Sequence, residues 1–186
     1  MWVQGRLRAG IGVANMLGLR RWARCLVQQA LASKPDDPFM LASLAHEQSL
    51  DGAWSQARET LLRCTALRPQ DGRAWFNLGY VCERLERTQE AERCFRRATQ
   101  ESPGLDRAWY GLGLALIAQD RLEEAVVALQ VNTRLQPLSP YGWYQLARVQ
   151  ADLGACEEAA ATIAHLRQFE PKVARQLERE TGLCRP

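Results

Sequence analysis

Residues 73–80 read RAWFNLGY, residues 107–114 read RAWYGLGL and residues 141–148 read YGWYQLAR. The starts are 34 residues apart both times, and a fixed period of this length marks a chain built from copies of one supersecondary unit. Rows of that length starting at Gln4, Pro38, Gly72, Asp106 and Pro140 put a proline near the end of each: Pro35, Pro69, Pro103, Pro137 and Pro171. The same register places alanine at Ala23, Ala57, Ala91, Ala125 and Ala159, each four residues before a bulky apolar side chain: Val27, Leu61, Phe95, Leu129 and Ile163. Earlier in each row a large residue (Leu7, Leu41, Trp75, Trp109, Trp143) precedes by four places a small or β-branched one: Ile11, Ala45, Gly79, Gly113, Ala147.

Spacings of three and four place these residues on one face of a helix. Each row therefore reads as two short amphipathic helices packed antiparallel. The small residue on the first helix and the alanine on the second let the backbones approach, while the tryptophan and the residue after the alanine fill the flanks. Gly18, Gly52 and Gly154, with Glu86 and Asp120 at the same row position, sit where the chain turns between the helices. Proline, which cannot donate to the helical ladder and restricts the residue before it, is expected to end the second helix of every row.

This pattern resembles the tetratricopeptide repeat. The third row carries the fullest match, with Trp75, Leu78, Gly79, Ala91, Phe95, Ala98 and Pro103 in place and Cys82 where the family has tyrosine. The fourth keeps Trp109, Leu112, Gly113, Ala125 and Pro137, with Leu129 for the phenylalanine and Asn132 for the last alanine. The fifth keeps Trp143, Leu146, Ala159 and Pro171; the second keeps Leu44, Ala45, Ala57 and Pro69; the first departs, with Gly10 and Ile11 at the leucine and small positions. The resemblance implies an all-α fold, a right-handed α-solenoid of stacked helix-turn-helix units. Its repeats would span 4–37 (degenerate), 38–71, 72–105, 106–139 and 140–171, followed by a capping helix and tail at 172–186. A helix pair cannot bury its apolar face alone, so the ends need caps. Val173, Ala174 and Leu177 on one side of the last segment fit that role, with Gly182 as its stop and Leu183 available to fold back.

Composition is consistent with such a domain. Of 186 residues 47% are apolar and 24% charged, the ordinary globular range. The formal net charge is +3, carried by arginine with only Lys34 and Lys172 as lysines. Arg20, Arg21, Arg24 and Arg93, Arg96, Arg97 are interleaved at helical spacing, which reads as solvated helix faces and not as a nucleic-acid surface. The stretch AGIGVANMLGL at 9–19 imitates a signal-peptide core, but arginines follow where a cleavage site belongs, and it is too short to span a bilayer; it reads as a first helix. Cys25, Cys64, Cys82, Cys94, Cys156 and Cys184 form no CxxC pair and read as core fillers in a reducing, cytoplasmic setting. Cys82 and Cys94 are the one pair worth testing for a bond.

The resemblance also implies that the first helices line a concave groove. Carried over by row position, the groove residues would be Arg73, Phe76, Asn77, Tyr80, Arg84, Arg107, Tyr110, Leu114, Tyr141, Tyr144, Gln145 and Arg148, a basic and aromatic ladder. Rows one and two contribute Asn15, Ser43 and His46, with the larger Phe39. Aromatic rings and guanidinium groups supply area and orientation, and arginine pairs bidentately with carboxylates; the ligand expected is a protein segment that is hydrophobic with acidic residues. Packing between repeats is the alternative role for Tyr80, Tyr110 and Tyr144. In the family Asn77's position often bonds the ligand backbone. The chaperone-tail clamp of some relatives is not reproduced, since only Asn77 and Arg107 match it while Ala42, His46 and Gly111 occupy its other places.

His46 and His165 fall in unrelated places, with no carboxylate pair, phosphate loop, HExxH or nucleophile elbow. The reading is a non-enzymatic adaptor with no cofactor, no metal and no nucleic-acid partner. Two alternatives stay open: self-association through the N-terminal repeat as a scaffold, and an accessory subunit that positions an enzyme.

Overall fold

The computed structural model describes Gly10, Val13 and residues 19–182. The expected first helix of the first row, the fold-back of Leu183 and the placement of Cys184 lie outside the described residues. Ten helices run through the described part: α1 (Arg20–Ser33), α2 (Pro38–Leu50), α3 (Trp54–Leu67), α4 (Gly72–Arg84), α5 (Thr88–Glu101), α6 (Asp106–Ile117), α7 (Leu122–Leu135), α8 (Pro140–Asp152), α9 (Cys156–Arg167) and α10 (Pro171–Thr181). The starts of α2, α4, α6 and α8 recur every 34 residues, as do those of α1, α3, α5, α7 and α9. Each helix packs on its neighbours in chain order, and α4 also touches α6, as α8 touches α10. The chain is an all-α helical repeat solenoid in which the first helices of successive units lie side by side.

Local chemistry explains the boundaries. Asp37 accepts from Phe39 N at 3.0 Å and Met40 N at 3.3 Å, and Asp71 caps α4 in the same way through Arg73 N and Ala74 N. Between the two helices of a unit the chain turns through the left-handed region at Gly52 (φ 74°), Glu86 (59°), Asp120 (57°) and Gly154 (74°). Bonds reaching back five residues close these turns, from Ala53 N, Arg87 N, Arg121 N and Ala155 N to the carbonyls of Gln48, Cys82, Leu116 and Gln150. Two of the four positions carry a side chain where only glycine is unstrained. Glu86→Gly and Asp120→Gly are each expected to raise the free energy of unfolding by about 0.5–1 kcal/mol, the relieved strain less the greater freedom of glycine in the unfolded chain. A urea midpoint unchanged or lowered in both variants would contradict this.

Side-chain size is matched across the helices. A Cβ added at Gly79 would lie 2.7 Å from the Phe95 ring and one at Gly113 2.8 Å from Leu129. A Cβ at Gly111 would lie 2.8 Å from the same Phe95 ring, so this ring is clasped between α4 and α6. Where α7 and α8 meet, the bulkier Asn132 faces Gly142, and a Cβ there would lie 2.1 Å from the Asn132 Oδ1 atom. The equivalent places one unit earlier hold Ala98 and Ala108, so volume gained on one helix is given up on the next.

The repeated tryptophans are half-buried and pack against the core from its flank. Each indole also ties its helix to the preceding loop: Trp75, Trp109 and Trp143 donate through Nε1 to the carbonyls of Pro69, Pro103 and Pro137 at 2.8, 2.8 and 2.9 Å. The signature tryptophan and proline thus form one structural device. Proline ends the second helix at Pro35, Pro69, Pro103 and Pro137, but Pro171 does the opposite. There α9 stops at Arg167 and Pro171 is the first residue of α10, a position where its missing N–H costs nothing.

Several arginines pair with carboxylates along and beside the second helices. Arg58 of α3 holds Glu90 of α5 at 2.7 Å, and the buried Glu92 takes Arg96 and Arg121, both at 2.8 Å. Burial works against the Glu92 charge, but the Gln119 amide and the two guanidinium groups more than offset it and hold the carboxylate below its ordinary range. At the C-terminal end α10 buries Ala174 and Leu177 against Ile163 and Leu166, and Gly182 closes the helix in the left-handed conformation.

Candidate functional site

The side chains of the ladder project from α4, α6 and α8, and depressions lie between successive first helices. Ala42, His46 and Ser49 of α2 enclose with Asn77 and Tyr80 of α4 a pocket of about 90 Å³. Arg107 and Tyr110 of α6 meet Tyr141 of α8, with Asn132 and Ser139, around a depression of about 580 Å³. Tyr144 and Arg148 of α8 meet Glu180 of α10 around one of about 420 Å³.

The ladder residues differ in how free they are. Arg73, Asn77, Arg84, Arg107 and Arg148 are exposed, and Tyr141 is the most open of the aromatics at 71%. Tyr80, 44% exposed, lies edge-on to Trp54 with ring centroids 6.1 Å apart, and the Arg84 guanidinium covers the same indole at 5.1 Å. Phe76 is half-buried and turns toward the core, its ring 5.9 Å from Phe95. Tyr110 and Leu114 are half-buried; burial pushes the Tyr110 phenol up, countered in part by a hydrogen bond with Gln145, itself half-buried. Tyr144 donates to Glu180 at 2.6 Å. Two residues of this face were missed in the sequence. Trp54 sits on a second helix and Glu180 on the cap, so neither falls on a first-helix row position.

The remaining chemical groups are absorbed by packing. His165 packs at a tilt against Trp143, with ring centroids 4.3 Å apart, and edge-on to Phe169 at 5.7 Å. Cys82 and Cys94 are buried free thiols facing each other across α4 and α5. They fill the slot where Thr60 donates to Gln48 at 2.9 Å and Thr162 to Gln150 at 2.7 Å in other units. The hydrogen bond with Cys82 and burial push the Cys94 thiol far above its ordinary range. Cys64 is also buried, while Cys25 and Cys156 are exposed and so are not core fillers. Among the described residues no group of three or more His, Cys, Asp or Glu is placed to hold a metal ion. No described helix is long and apolar enough to cross a membrane.

Residues 44–106 and 84–143 each match a family model of the tetratricopeptide repeat, together more than half of the chain. The chain belongs to the tetratricopeptide-repeat family. Among solved structures it is similar to MamA (residue 41 to the end) from Desulfovibrio magneticus RS-1, with 20% identity and a TM-score of 0.80 over 91% of this chain and 96% of that one. It is similar to YrrB, described as a TPR protein with an unusual peptide-binding site, at 16% identity and TM-score 0.78 over 91% and 88%. It also resembles PilF of Pseudomonas aeruginosa, at 19% identity and TM-score 0.78 over 96% and 86%. At these identities the likeness is one of fold. No curated protein matches the chain.

Proposed function

We propose that this chain is a non-enzymatic adaptor that holds a segment of a partner protein against the face formed by its first helices, chiefly through α4, α6 and α8. The observation that carries this reading is the series of depressions between successive first helices, lined by Asn77 and Tyr80, by Arg107, Tyr110 and Tyr141, and by Tyr144 and Arg148. Rings and guanidinium groups spaced along one face suit an extended or helical segment with apolar residues for the rings and carboxylates for the arginines. YrrB, with its peptide-binding site, supports the same use of the fold. The repeat units on this reading are the 34-residue rows, with α10 as their cap.

The test uses dodecapeptides selected on the wild-type chain from a random phage-displayed library, measured by fluorescence anisotropy. Replacing Tyr80, Tyr110 and Tyr144 together by Ala is expected to weaken binding by tenfold or more, since aromatic anchors at interfaces each contribute on the order of 1–2 kcal/mol. Circular dichroism must show the variant equally helical, because Tyr110 also packs against the core. Undiminished binding by an equally helical variant overturns the reading.

A further inference from the structure

At the C-terminal end of the face a carboxylate is already seated. The Tyr144 hydroxyl donates to Glu180 Oε2 at 2.6 Å, and Gln176 Nε2 donates to Glu180 Oε1 at 2.8 Å. The Arg148 guanidinium lies 5.9 Å from the centroid of the Tyr144 ring, and Ala151, Asp152 and Thr181 complete the surround. The hydrogen bond from Tyr144, then that from Gln176, together with the charges of Arg148 and Arg179, hold the Glu180 carboxyl below its ordinary range. The same bond to Glu180 raises the Tyr144 phenol. A phenolic donor beside a guanidinium is a receptor for carboxylate, and the occupant here comes from the cap helix, 36 residues away in sequence.

This contact is not what holds α10 in place. Ala174 and Leu177 are wholly buried against the last unit, whereas Glu180 is exposed, and exposed polar pairs contribute little to stability. Tyr144 has one proton to donate, so it cannot serve Glu180 and an incoming carboxylate together. With Glu180 present, its charge and that of Asp152 balance Arg148 and Arg179; without it the depression becomes cationic.

We propose that Tyr144 and Arg148 form the seat for an acidic side chain of the partner segment, and that Glu180 occupies this seat from within the chain, so that ligand and cap helix compete for it. The proposal rests on the reading of this face as the binding surface and specifies both the ligand chemistry at its C-terminal end and a built-in restraint on affinity. A seat that is mostly self-occupied lowers the apparent affinity by the fraction of time it is free.

The experiment uses the full chain and its E180Q variant, each presented with the random dodecapeptide library, followed by anisotropy of the selected peptides on both proteins. E180Q is expected to select sequences richer in Asp and Glu and to bind them about three- to tenfold more tightly than wild type does. Tyr144→Phe, which keeps the ring and removes the donor, and Arg148→Ala should each abolish that acidic preference. Equal affinity of wild type and E180Q, or selection by E180Q without acidic enrichment, overturns the proposal. The two failures are separable. If peptides still bind when Tyr80, Tyr110 and Tyr144 are all Ala, the binding face itself is wrong, and the seat with it. If that variant loses binding while E180Q matches wild type, the face stands and the self-occupied seat falls. Unchanged thermal unfolding of E180Q establishes that the fold is not the variable.

Discussion

Phe95→Ala is expected to lower the free energy of unfolding by about 3–5 kcal/mol, the range for truncating an enclosed aromatic ring. The ring is 1% exposed and bounded by two glycines, Gly79 on α4 and Gly111 on α6, whose missing Cβ atoms would fall 2.7 and 2.8 Å from it. One side chain therefore fills both the gap within its own unit and the gap to the next. The flanking positions are glycine and the helices are held by Leu78, Leu112 and Leu116, so the void persists unless the neighbouring Phe76 ring, 5.9 Å away, swings into it. The glycines supply a sharper test than the truncation alone. Gly111→Ala should destabilise the wild type, since a fully enclosed ring cannot swing away, and should be neutral or favourable in the Phe95→Ala background, where the added methyl group partly fills the cavity. The coupling expected from such a cycle is on the order of 1–3 kcal/mol. Urea titration followed by circular dichroism reads all four species. A loss below about 1.5 kcal/mol for Phe95→Ala would mean that α4 and α6 close over the gap.

The period made the architecture legible because each unit repeats one solution to one packing problem, and four of the five second-helix prolines and the four turn positions among the described residues fall where the rows put them. Pro171 was misread because proline suits both the end of one helix and the start of another, and nothing in its row says which. Gly111 entered the sequence reading only as a mismatch to a peptide clamp, yet its smallness is needed by Phe95, one unit back. That relation lies between units and is invisible within a row. The candidate face was legible as a set of row positions, but burial divides that set. Phe76 and Tyr110 lean into the core while Tyr141 stands open. Asp37 and Asp71 carried a recognisable capping signal, an aspartate just before an apolar helix, that went unused. The seating of Glu180 at Tyr144 had no such signal, since it depends on how the last helix settles on α8.

Trp109→Ala is expected to cost about 3–4 kcal/mol, at the lower end for a large aromatic side chain because the indole is only half enclosed. Two contributions make up this loss and can be separated. The Nε1 hydrogen bond to the Pro103 carbonyl, 2.8 Å long, fastens the loop before α6 to the helix itself, and Trp109→Phe removes it while keeping most of the apolar area. That variant should cost about 1 kcal/mol. The second unit shows what the site accepts without the bond, for there the equivalent residue is Leu41, fully buried. A leucine at 109 should therefore fall between the phenylalanine and alanine variants. Because stacked units draw their stability from their neighbours, the damage should also be local: hydrogen exchange is expected to quicken first in α6 and in the flanking α5 and α7, and least in α2 and α3. If the phenylalanine variant loses as much as the alanine one, the loop tether and not the buried area sets the strength of the junction. If exchange rises evenly along the chain, the units unfold as one cooperative body, and the tryptophan's role is global.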